Sequence, residues 1–136
     1  EWCTFLVDVR SQDPKKLADL VRELLESITF AASLEDCQVE TDVHKSYNGY
    51  RFKRDDDVVR IATSALERSG FEPSFALSGG GADANVFNER GLACVNLANG
   101  MAEIHTPDEH IAVSDLERMV DVTLALVDVA RETDAA

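Results

Sequence analysis

Cysteine, proline and histidine are scarce in these 136 residues, with three of each, and there is a single tryptophan. Cys3, Cys37 and Cys94 are odd in number and far apart, so they do not make a disulfide framework. Cys3 and Cys94 lie in apolar runs, where a thiol behaves as a small hydrophobe. A reducing, cytoplasmic setting is therefore expected. Basic residues are also few: 13 Lys and Arg stand against 26 Asp and Glu, a net charge of −13. Nucleic acid and anionic lipid both need a basic surface, so neither is an expected partner. No apolar run is long enough to cross a bilayer. No basic segment followed by an apolar stretch opens the chain, so no export signal is visible. The chain starts at Glu1 without a methionine and enters a β-rich run by Thr4, which leads to the expectation of a piece of a longer polypeptide.

What remains is an ordinary globular balance, 45% hydrophobic and 29% charged. Residues 4–10 alternate, with Phe5, Val7 and Val9 on one face, and predict a strand. Asp8 within it is read as facing solvent or pairing locally with Arg10. Asp13 and Pro14 suit the N-cap and first position of a helix. Its apolar stripe is Leu17, Leu20, Val21, Leu24, Leu25 and Ile28. Residues 37–43 alternate again and predict a second strand. Residues 45–54 are polar and aromatic and read as a connection. Asp55, Asp56 and Asp57 suit the start of a second helix, with Val58, Ile61, Ala62, Ala65 and Leu66 inward and Gly70 as its stop. Residues 71–77 predict a short strand, 78–81 a turn, 83–88 a short helix closed by Gly91, and 92–97 a strand covered on both faces. Residues 111–113 read as a brief extended piece. Ser114 and Glu117 form a capping box for a last helix whose stripe is Leu116, Met119, Val120, Thr123, Leu124 and Val127.

The expected fold class is α/β. It comprises a strand-helix-strand piece of α+β character, then helix, strand, helix, strand and helix of a mostly parallel sheet. In such sheets the loops beyond the strand ends build the sites. Two such loops carry chemistry. Ser78-Gly79-Gly80-Gly81-Ala82-Asp83 can bring backbone close to a ligand and turn with positive φ, and the helix after it points free N–H groups outward. A tight turn with no ligand is equally open. No Gly-Lys-Ser/Thr follows, and the dinucleotide spacing fails. His105 lies in a loop rich in Gly, Asn and Thr, where it can be a metal ligand or general base. Taken singly, it is more simply a surface histidine. His110 is five residues on, which is not the helical spacing of a zinc peptidase pair. Asp108 and Glu109 add carboxylates in an acid-rich chain.

The run SGGGADANVFNERGLACVNLANGMAEIHTPDEHI, residues 78–111, resembles the carboxy-terminal part of the co-catalytic zinc peptidases of the peptidase T, carboxypeptidase G and aminoacylase type. Gly-Gly-Gly-x-Asp-Ala-Asn at 79–85 and His-Thr-x-x-Glu at 105–109 point to the peptidase T-like branch. FLVDVRSQDPKKLADLVREL resembles the strand and helix of that family's lid, or dimerisation, domain, and SYNGYRF resembles the crossing back to the catalytic domain. The resemblance covers nearly the whole chain.

The resemblance implies residues 1–46 as a partial lid domain and 47–136 as the carboxy-terminal part of an α/β catalytic domain. It implies two zinc ions in the parent, with His105 as one metal ligand. Gly79, Gly80 and Gly81, supported by Asp83 and Asn85, would hold a peptide or N-acyl amino acid substrate. The implied reaction is metal-assisted amide hydrolysis, in which zinc polarises the carbonyl and a glutamate activates water. The family's other ligands, its catalytic glutamate and the lid's substrate-contacting histidine would all lie before residue 1. This chain alone is thus expected to be inactive, to bind zinc weakly or not at all, and to pair as a homodimer. The alternatives are a small-ligand-binding module built on the glycine turn and a non-catalytic dimerisation unit.

Overall fold

The computed structural model describes residues 2–134, and the sequence's four predicted helices are its regular elements. Helix α1 spans Pro14–Ser33, α2 Asp57–Arg68, α3 Asp83–Glu89 and α4 Val113–Asp134. Each has a local reason to start or stop. Asp13 Oδ1 accepts the Lys15 N–H (2.9 Å) and the Lys16 N–H (3.2 Å), which satisfies two of the donors a helix start leaves open. Pro14 follows at the first position, where its missing N–H costs nothing. The other end of α1 is closed by the Cys37 N–H on Ala32 O (3.0 Å), with Asp36 at φ 52°.

Helices α2 and α3 end in the same way. Gly70 has φ 78° and Gly91 φ 83°. Beyond them the Phe71 N–H returns to Leu66 O and the Leu92 N–H to Phe87 O, both at 2.9 Å. These are the left-handed closures that glycine makes without a Cβ penalty. The capping box expected at Ser114 and Glu117 is not what starts α4. Ser114 is already helical, and the Asp115 and Leu116 N–H groups bond to Ala112 O.

The α/β expectation is overturned. No sheet forms among the described residues, so the strand-helix-strand piece and the parallel helix-strand-helix-strand-helix portion are both absent as such. Residues 4–10, 37–43, 71–77 and 92–97 carry no strand ladder, and 111–113 runs into α4. The single pairing among the described residues is an isolated antiparallel bridge between Ala102 and His110. The physical reason lies in where the bonds go. A helix closes its hydrogen bonds within itself, whereas each strand needs a second segment to accept and donate. Alternation marks a face suited to pairing and supplies no partner for it. Phe5 stays 64% exposed, Leu77 63% and Leu92 61%. Cys3, read as a small hydrophobe, is likewise exposed.

The chain divides into two compact units. One gathers the residues up to Gly49 with Ser78–Gly80, and the other Tyr50–Leu77 with the chain from Gly81 onward. The outermost residues of the two predicted domains, 1 and 135–136, lie outside the described residues. In the first unit, α1 buries no residue fully, and its stripe is half-buried at best. Asp8 pairs with Arg10, whose Nη2 lies 2.6 Å from Oδ2. That hydrogen bond holds the Asp8 carboxyl below its ordinary range.

The core sits in the second unit, where α2 packs along α4. Val59, Ala62 and Ala65 of α2 and Val122 and Val129 of α4 are buried. Helix α4 turns a different face inward from the predicted one. Val122 is 2% exposed, while Leu116 and Val120 of the expected stripe remain 56% and 59% exposed. The helix is apolar on two sides, and contact with α2 selects the 119, 122, 126, 129 row. Arg68 and Glu132 clamp the ends of the pair through two hydrogen bonds. Arg118 lies over the Phe71 ring, 3.7 Å from its centroid. No helix among the described residues is long and apolar enough to cross a membrane.

Candidate functional site

The glycine run is open rather than tightly turned. None of Gly79, Gly80 and Gly81 has a positive φ; the left-handed glycines are Gly70, Gly91 and Gly100. A Cβ added at Gly79 would meet nothing within 4 Å, and one at Gly80 would touch only Ser78 Oγ at 3.5 Å. The Gly80 N–H donates to that same Ser78 Oγ (3.2 Å). Smallness at Gly79 leaves room beside the backbone that none of the described residues fills.

Asp83 and Asn85 follow on α3 and play different parts. Asp83 is exposed in the first turn, where its charge suits the helix dipole. Asn85 is 6% exposed, the one buried polar residue among the described residues. Its Oδ1 accepts the Ala82 N–H (2.9 Å), and its own N–H donates to Ala82 O (2.9 Å). A buried amide bonded in this way contributes about 1 kcal/mol and would cost more if left unsatisfied. Asn85 therefore acts first as the fastener that starts α3.

Asn88 was not singled out from the sequence. Its Nδ2 donates to Ala84 O and Cys94 O, both at 2.7 Å, and its Oδ1 accepts the Cys94 N–H (3.1 Å). One side chain thereby ties α3 to the segment leading to the second loop. An asparagine late in a short helix was the only signal, and it matches many surface residues.

The second loop is built more firmly than its sequence suggests. Ala102 and His110 exchange both backbone bonds, at 2.9 and 3.2 Å, and close its base. Inside, the Thr106 N–H and Oγ1 both donate to Glu103 O, at 3.1 and 2.7 Å. His110 Nδ1 lies 2.7 Å from Asp108 O; a carbonyl only accepts, so that nitrogen carries a proton. Glu103 has φ 51° and His105 φ 68°. Left-handed backbone costs a non-glycine residue about 1 kcal/mol or more, and it occurs here twice in three residues. The His105 N–H donates to Glu109 Oε2 (2.9 Å), and the residue is exposed. Just before the loop, Gly100 has φ 87°, and a Cβ there would come within 3.1 Å of Asp115 Oδ2.

Among the described residues, no three His, Cys, Asp or Glu side chains come together as a metal-binding group. His105 can offer one ligand, but a catalytic zinc takes about three from the protein. The residues present do not by themselves fit the metal that the resemblance implies. A groove of 740 Å³ runs along α2 and α4 and includes none of the predicted site residues. Three arginines line it, yet each is already engaged: Arg68 with Glu132, Arg60 with Asp57 (2.5 Å) and Arg54 over Phe75.

Comparison with known proteins agrees with the motifs. Residues 6–129 match the model of peptidase family M20/M25/M40. The chain belongs to this family. It is 31% identical over 125 residues to the uncharacterized protein YqjE of Bacillus subtilis, covering 92% of this chain and 34% of that one. It is 29% identical to peptidase T of Limosilactobacillus fermentum, covering 88% of this chain and 30% of the relative. Among solved structures it resembles aminopeptidase PepT from Bacillus cereus, with a TM-score of 0.72, 34% identity, and coverage of 86% of this chain and 31% of that one. The chain thus spans about a third of the length of each of these three relatives.

Proposed function

We propose that this chain is the carboxy-terminal portion of a zinc-dependent peptidase or related amide hydrolase that acts on peptides or N-acyl amino acids in the cytoplasm. Residues 1–46 form part of its lid domain and 47–136 part of its catalytic domain. The observation that most supports this reading is the braced loop at 102–110. Family membership spans it, and its bonds hold an exposed His105 in a conformation the backbone does not favour. Such strain is concentrated where a residue must be held for a purpose. In the parent polypeptide His105 is one metal ligand, and the other ligands come from the remaining chain. Gly79, Gly80 and Gly81 leave space for substrate backbone, with Asp83 and Asn85 in support. The chain by itself is inactive and holds zinc weakly or not at all.

Two measurements test this. Zinc titration of the chain by calorimetry at neutral pH should show no tight, stoichiometric binding. A tight site lost in His105→Ala would overturn the claim of incompleteness. In the parent, His105→Ala should abolish tripeptide hydrolysis; retained activity would remove His105 from the site.

A second reading, self-association into a homodimer, is favoured by α1, whose apolar stripe is not buried within the chain. Sedimentation should show a concentration-dependent dimer that Leu24→Asp with Leu25→Asp dissociates. A monomer at all concentrations would end that reading.

A further inference from the structure

We propose that Glu109 is a positioning residue that fixes His105 by accepting its backbone N–H. The proposal rests on the reading of His105 as a functional residue given above. The base of the 102–110 loop is already closed by the paired bonds between Ala102 and His110, and Glu103 is braced from two sides by Thr106. The Thr106 N–H bond to Glu103 O also closes a turn with Ile104 and His105 at its centre. At φ 68° His105 is left-handed, and engagement of its own N–H adds a second hold on that conformation. The engaging group is Glu109 Oε2 at 2.9 Å, a charge-assisted bond to a residue four positions on.

The chemistry separates reach from charge. Glutamine keeps an acceptor oxygen at the same reach without the charge. Aspartate keeps the charge and falls one methylene short. If the bond sets the position, E109Q restores function and E109D does not. If only negative charge near His105 matters, the order reverses.

The experiment uses the intact polypeptide that carries these residues, labelled with nitrogen-15 at histidine, with tripeptide hydrolysis measured alongside. E109A should speed exchange of the His105 amide about tenfold or more, because the donor is released to water. It should lower kcat about tenfold or more with KM within about twofold, as misplacement of a reacting group does. E109Q should bring both values back to within about threefold of the starting protein, whereas E109D should resemble E109A. Unchanged exchange in E109A overturns the proposal whatever the activity. Faster exchange with unchanged kcat overturns the positioning role, and so does better rescue by E109D than by E109Q. Hydrolysis that survives H105A instead overturns the reading on which the proposal rests, and the exchange data then stand apart from it.

Discussion

Helix α1 and the α2–α4 pair start from the same kind of apolar stripe and end in different environments. In α2 and α4 apolar faces meet, though not along the expected stripe of α4, and Ala65, Val122 and Val129 leave solvent. In α1, Leu17, Val21, Leu24, Leu25 and Ile28 reach only half-burial, and Leu20 remains 41% exposed. Amphipathicity is thus a property of one helix, and burial a property of two. Helix α1 has that partial burial and the closures at its ends, the Asp13 cap and the Ala32 bond. The pair stands on side-chain packing, with its end-to-end ion pair as a minor addition.

The sharpest way to break this contrast is to put a charge on each face. Val122→Asp should cost about 3 kcal/mol or more, because an unpaired carboxylate would enter a dry contact. Leu24→Asp should cost under about 1 kcal/mol in dilute protein, where the group keeps its water. Urea unfolding followed by circular dichroism measures both. Equal costs would mean that α1 is covered as fully as α4. A Leu24→Asp cost that grows with protein concentration would identify the cover as a second copy.

A smaller effect is expected at Gly100, whose φ of 87° and nearness to Asp115 tie the His105 loop to the first turn of α4. Gly100→Ala should lower stability by about 1–2 kcal/mol, the usual penalty for forcing an L side chain into left-handed backbone. No loss of stability would show that the turn relaxes freely. Smaller again is Asp13→Ala, at about 1 kcal/mol. Because α1 leans on its cap, the loss should appear as reduced helicity before global unfolding. If the two coincide, α1 is coupled to the core after all.

The smallest effect concerns pH. The hydrogen bond from Arg68 lowers the Glu132 carboxyl below its ordinary value. A folded-state value below the unfolded one means the pair contributes above the ordinary glutamate range. That contribution fades as pH falls through the lowered value. Both side chains are about half exposed, so the contribution is small and screened by salt. Glu132→Gln should lower stability slightly near neutral pH, where the pair contributes, and leave it unchanged in strong acid, so that the acid limb flattens. A loss that persists in strong acid would assign Glu132 a role other than this ion pair.

The site divides along similar lines. The Gly79–Gly81 run, Asp83, Asn85 and His105 could all be picked out as residues, because glycine triplets and loop histidines stand out against an acidic background. Their states could not. Asn85 is a buried cap, the glycines lack the positive φ that glycine permits, and the strain lies instead at Glu103 and His105. Asn88, which ties α3 to Cys94, carries no sequence signal beyond its type.

By itself the sequence determined what is settled within a few residues. It set α1 to start at Asp13 and Pro14, α2 and α3 to stop before Gly70 and Gly91, and the chain to belong to its peptidase family. Caps, left-handed glycines and helical hydrogen bonds all close inside one turn, so local residues suffice to fix them. Tertiary structure alone decided which face of α4 is buried, which segments stay unpaired, and how His105 is held. Each of these depends on a group distant in sequence or outside the element itself, and alternation or periodicity along the chain carries no information about that second group.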